Sequence, residues 1–183
     1  LHILEAYTSL YQVQPTAEIR AALKYNIDMF DKYMIDKNTY HLRMFMDLQW
    51  KDFSPGYTYG HDIEASWLIA KALEALGDAD YAQRLTPTLI KIAEVTLQEG
   101  VGELGQVLDS YDFATASINR DSVWWVQAEA LVGFLYAFNL SGQERYFSAA
   151  EAVWDFIKKY QVDEELGEWL WLSRIHPNAL PYY

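Results

Sequence analysis

His61 and Glu64 stand three residues apart, directly after Gly60 in the stretch Tyr57–Gly77. On a helix that spacing puts them on one side of the first turn. An imidazole is the side chain whose ordinary pKa lies near neutrality, and a carboxylate beside it makes a usable acid–base pair. His2 and Glu5 repeat the same spacing. A blander reading stands beside this one: His61 or Asp62 caps the helix, and Glu64 complements its dipole. Two imidazoles with two carboxylates are also a metal-ligand set. From these residues alone all three readings stay open. Glu5 and Glu129 bond either neighbouring helix ends or a substrate. His41, and His176 beside Pro177, have no partner pattern and read as structural. Trp67, Trp125 and Trp154 fall on apolar helix faces and read as core, while Trp169 and Trp171 share a strand face and read as packing.

The elements that must hold these groups follow from composition and periodicity. The 183 residues are 51% hydrophobic and 16% aromatic, which is too apolar for a disordered chain and enough for one domain with a core. A net charge of −12 argues against nucleic acid and anionic membrane as partners. No uncharged apolar run is long enough to span a bilayer. Zero cysteines exclude disulfides and thiolate metal sites. With no signal peptide visible, the expected compartment is the cytoplasm. The chain opens at Leu1 inside a helical pattern and closes at Pro181-Tyr182-Tyr183 without a finishing helix, so both ends read as cut.

Leu1 to Val13 reads as a helix broken by Pro15. Thr16 caps a second helix through Met34. Tyr40 to Asp47 alternates like a short strand. The His61 helix runs to Gly77, and a further helix covers about Ala82 to Gln98, with Pro87 acceptable only in its first turn. A turn at Gly100–Gly105 precedes a short strand to Leu108, then a loop through Asp112–Arg120. A helix spans Asp121–Leu140 and another Glu144–Tyr160, and Gly167–Leu172 closes as a strand. The order apolar helix, amphipathic helix, strand turn and loop thus occurs three times, marked by Glu5-Ala6, Glu64-Ala65 and Glu129-Ala130. Helix pairs that cannot bury their apolar faces alone must stack, with the apolar helix inside. The expectation is an all-α chain, 1–183: one incomplete domain forming part of an (α/α)6 toroid, with three inner/outer hairpins and short β-hairpins between them. A free-standing six-helix domain is the competing reading.

Four segments, His2–Tyr7, Tyr59–Leu68, Trp124–Ala130 and Gly167–Trp171, resemble the N-acylglucosamine 2-epimerase family, and within it the cellobiose 2-epimerases. The resemblance implies an isomerase of carbohydrate metabolism that inverts C2 of a reducing-end glucose in a β-1,4-linked disaccharide, through ring opening and a cis-enediolate. It implies His61 as one acid–base residue, His2 as hydrogen-bond partner of the reacting oxygens, and Glu64 as an aid to positioning or ring opening. Trp124 would pack on the sugar and Glu129 would contact it. It implies no metal and no cofactor, a small sugar as partner, and a second epimerising His that lies outside this chain, so that this chain alone is expected to be inactive. Self-association through an open inner face is a further expectation. The alternatives within the fold are N-acylglucosamine 2-epimerisation or aldose–ketose isomerisation. A glycoside hydrolase would need two carboxylates flanking a bond, for which Asp62, Glu64 and Asp112 are available.

Overall fold

The computed structural model describes residues 1–176; the expectation placed on Pro181–Tyr183 lies outside them. Three helix pairs follow one another: α1 (His2–Val13) with α2 (Ala17–Met29), α3 (Tyr59–Leu76) with α4 (Ala79–Val95), and α5 (Trp124–Ser141) with α6 (Glu144–Phe156). Local residue chemistry explains several of their ends. Thr16 caps α2 by accepting from the Ile19 amide, Thr58 caps α3 and Asp78 caps α4. Gly77 and Gly142 stop α3 and α5 in the left-handed conformation, at φ 63° and 67°.

α3 is the middle inner helix, packed between α1 and α5 and backed by α4. It buries Ile63, Ala65, Leu68, Ile69, Ala72, Leu73 and Leu76, facing neighbours on several sides, which is why its apolar residues do not form a single stripe. Gly133 permits the close approach of α5, since a Cβ there would lie 2.4 Å from Cγ1 of Ile63. α1 is different: only Leu4 and Thr8 are buried, while Ile3, Leu10 and Val13 are exposed.

Each outer helix ends in one wide π-helical turn, Phe30–Met34, Thr96–Gly100 and Ile157–Gln161. Each is followed by a single antiparallel bridge, Ile35 to Leu42, Val101 to Val107 and Val162 to Trp169. This recurrence is the threefold repeat in structural form.

Several local expectations are corrected. Tyr40–Asp47 is not a strand: His41 and Leu42 are both buried, so no face alternates, and Tyr40 (φ 64°) turns the chain. The segment to Leu108 and the one at Gly167–Leu172 hold only isolated bridges. The actual sheet forms from segments where no strand was expected. β1 (Gly56–Thr58), β2 (Ser110–Asp112) and β3 (Ser117–Asn119) form an antiparallel sheet in that order. Pro87 sits inside α4 rather than in its first turn. It is exposed, as is Gln83, whose carbonyl loses its usual helical partner. The fifth helix begins at Trp124, not Asp121.

Candidate active site

Thr58 organises the first turn of α3. Its Oγ1 accepts the His61 amide at 3.4 Å and lies 2.6 Å from His61 Nδ1. The cap is therefore Thr58, and the bland reading of His61 or Asp62 as the cap is corrected. With Nδ1 committed, chemistry at His61 falls to Nε2. Burial holds the His61 pKa below its ordinary 6.5, so the ring is mainly neutral at pH 7. Its ring stands edge-on to Trp125, centroids 5.0 Å apart. Gly60 makes that meeting of α3 and α5 possible, because a Cβ there would lie 2.6 Å from the Trp125 ring. Trp125, expected in the core, is half-buried and part of the His61 surroundings.

Glu64 is 6% exposed. Burial, and then the carboxylate of Glu129, push its pKa from 4.5 to about 7. Glu129 projects from α5 and accepts from Trp67 Nε1 at 2.8 Å; burial raises its pKa, and that indole bond opposes the rise. Glu129 thus bonds an inner-helix side chain, not a helix end. His2 on α1 is exposed, with Nδ1 3.7 Å from Glu5 Oε2. A positive charge at that position is near enough to favour the ionised forms of Glu64 and Glu129 and to disfavour that of His61. Three inner helices therefore bring His2, His61, Glu64 and Glu129 to one face. Trp124 is 38% exposed at the start of α5, edge-on to Trp169 at 6.5 Å, so its ring contact is with that tryptophan and not with His61.

His41 is not without partners, as its local sequence suggested. It is buried, with Nδ1 2.7 Å from Asp62 Oδ2 and Nε2 3.3 Å from Glu99 Oε2. Those partners lie 21 and 58 residues away in sequence, where no spacing rule reaches. His176 pairs with Asp121 at 2.9 Å. Among the described residues, the carboxylates named for glycoside hydrolysis, Asp62, Glu64 and Asp112, are not brought together. Asp62 is fully buried against His41, and Asp112 is tied into an exposed turn by Thr115. Among the described residues no group of three or more metal-ligating His, Asp or Glu side chains converges, and no helix is long and apolar enough to cross a membrane. A cavity of about 810 Å3 lies elsewhere, along α4 between His41 and Tyr146.

Sequence reasoning missed Thr58 and Asp109. The first has a visible signal, a hydroxyl residue three before a histidine at a helix start. Asp109 favours protonation of His61 from a distance, and its carboxylate is held by Ser110 and Asn119; no motif marks it.

The model of the N-acylglucosamine 2-epimerase (GlcNAc 2-epimerase) family matches residues 1–174. A cellobiose 2-epimerase of Bacteroides fragilis is 39% identical over 95% of this chain and 44% of its own length. One from Dictyoglomus turgidum is 36% identical over 99% of this chain and 46% of its own. The solved cellobiose 2-epimerase of Bacillus thermoamylovorans superposes with a TM-score of 0.88 at 37% identity, over 93% of this chain and 43% of that one. The chain thus spans less than half the length of these relatives, and its three helix hairpins form part of an (α/α)6 toroid. The chain belongs to the N-acylglucosamine 2-epimerase family.

Proposed function

We propose that this chain forms one wall of the active site of a carbohydrate 2-epimerase acting on the reducing-end glucose of β-1,4-linked disaccharides such as cellobiose. The observation that carries the reading is the state of His61: Nδ1 committed to Thr58, pKa lowered by burial, and a carboxyl group at about 7 one turn along. The relatives' name, cellobiose 2-epimerase, supports the substrate.

The chemistry follows from the groups present. Ring opening gives an aldehyde, which acidifies the C2 proton. His61 donates its Nδ1–H to Thr58, keeps a lone pair on Nε2, and takes that proton; the C–H electrons move into the enediolate. His2 donates to the enediolate oxygens, which gain negative charge in this step. Glu64, about half protonated near neutral pH, gives a proton to the ring oxygen and takes one from the anomeric hydroxyl. Trp125, the tryptophan beside His61, offers its indole ring to the sugar's C–H face. Glu129, oriented by Trp67, accepts from a sugar hydroxyl.

Inversion requires a proton to return to the opposite face of C2. Among the described imidazoles, His41 is held against Asp62, His176 pairs with Asp121 and His2 is assigned to the enediolate oxygens, so on this reading the wall supplies one base. On this reading the chain alone is inactive, and the exposed Ile3, Leu10 and Val13 of α1 with Val132 and Leu135 of α5 favour self-association. A single monomeric boundary in sedimentation velocity would refute the association.

The test is product analysis after incubating the full-length protein with cellobiose. Glucosyl-mannose is the expected product. A ketose as main product replaces the reading with isomerisation, and free glucose replaces it with hydrolysis.

A further inference from the structure

Asp62 is the residue after His61, yet it points away from the inner face and is fully buried. Both its oxygens are used: Oδ1 accepts the Leu42 amide at 2.7 Å and Oδ2 faces His41 Nδ1 at 2.7 Å. The His41 ring lies flat on Tyr57, centroids 3.5 Å apart and planes within 7°. Its Nε2 meets Glu99, which also accepts from the Tyr57 hydroxyl at 3.3 Å. Tyr57 immediately precedes Thr58, the hydroxyl that holds His61 Nδ1. His41 thus grips the chain on both sides of the Thr58–His61 contact, through Tyr57 before it and Asp62 after it.

Burying such a pair is a poor way to gain stability, because desolvating two polar groups offsets most of their attraction, and an apolar pair of similar volume does as well. What the pair supplies is directionality. Two hydrogen bonds to one carboxylate and a face-to-face ring contact define where the backbone of residues 57–62 runs. A catalytic imidazole needs that definition, since displacement of about 1 Å costs on the order of a hundredfold in rate.

We infer that His41 and Asp62 are positioning residues that fix the Thr58–His61 hydrogen bond, and with it the direction of His61 Nε2. The inference rests on the proposed epimerase reading for its kinetic consequence, but not for its structural one.

Two substitutions test it in the full-length protein. His41→Asn keeps an N–H for Asp62 but loses the ring contact with Tyr57 and the bond to Glu99. Tyr57→Leu, at a half-buried position, removes the same ring contact and the Glu99 bond from the other side, together with the Tyr57 ring's contacts to Tyr59, Tyr111 and Phe113, and leaves the His41–Asp62 bond in place, so it remains informative if the first variant does not fold. For each, kcat and KM on cellobiose are measured with nitrogen-15 shifts of the His61 ring, at a temperature where circular dichroism shows full folding. The expected result is a kcat lower by about tenfold to a hundredfold with KM within about twofold. His61 Nδ1 should change from one hydrogen-bonded tautomer to a mixture. A kcat within about twofold of the parent overturns the inference, and so does a fall in kcat with the His61 ring signals unchanged. If the unsubstituted protein does not epimerise cellobiose, the functional reading fails. The ring signals alone then decide the positioning: a tautomer mixture in the variants upholds it and parental signals overturn it.

Discussion

Glu64 gives the inner face a measurable pH signature. Folding carries this carboxyl into a nearly closed environment beside Glu129, and its pKa rises from 4.5 to about 7. Between those values the folded chain holds a proton that the unfolded chain has released, so stability falls as pH rises through this window and levels off above it. At 1.36 kcal/mol per pKa step the full linkage is about 3 kcal/mol, and solvent screening at the open face reduces it to roughly 1–2 kcal/mol. For a chain of this size each kcal/mol moves Tm by roughly 2–4 °C. The perturbation is Glu64→Gln, which has no proton to lose. Glu129 titrates in the same sense, because burial raises its pKa, whereas His61, held low, titrates in the opposite sense. The informative quantity is therefore a difference of differences. Calorimetry at about pH 5 and about pH 8 should show the parent losing roughly 3–6 °C more than the variant. Equal losses in both proteins refute the placement of Glu64 as a buried acid.

His61→Ala in the full-length protein should abolish epimerisation while lowering Tm by only a few degrees, because the fold loses one hydrogen bond to Thr58 and an edge contact with Trp125; activity on cellobiose and circular dichroism check both halves. Gly133→Ala forces a methyl to within 2.4 Å of Ile63 Cγ1 and should cost about 1–3 kcal/mol in urea unfolding, with α3 and α5 pushed apart. Trp67→Phe keeps most of the ring volume but removes the indole N–H from Glu129. It should raise the Glu129 pKa further, read by carbon-13 carboxyl titration, and cost about 1–3 kcal/mol where that carboxylate is ionised.

The hairpin order was legible because it rests on signals that repeat: Glu-Ala at the start of each apolar helix, glycine at the ends of α3 and α5, and threonine at the start of α2. The π-turns closing the outer helices were not, since no residue type marks a turn widened by one residue. β2 and β3 were hidden because each is three residues long with one half-buried apolar residue, Tyr111 or Ile118, too short a run for an alternation to register. At the candidate site, spacing put His61 with Glu64 and His2 with Glu5 on one side of a helical turn, and only the family resemblance chose among the acid–base, capping and metal readings. Trp124 and Trp125 could not be assigned by spacing, because adjacent helix residues point about 100° apart and either could face the imidazole. The contacts show Trp125 at His61 and Trp124 at Trp169. His41 escaped because its partners come from a different helix and a different turn, and only the folded chain brings them within bonding distance.

The most direct measurement is the fate of the C2 hydrogen when full-length protein converts cellobiose in deuterated water. With His61 Nε2 removing that proton and a second base returning one from solvent, the mannose-configured product should carry deuterium at C2, and His61→Ala should give no such product. Product that retains protium at C2, or deuterated product formed at the parental rate without the His61 imidazole, contradicts the assignment.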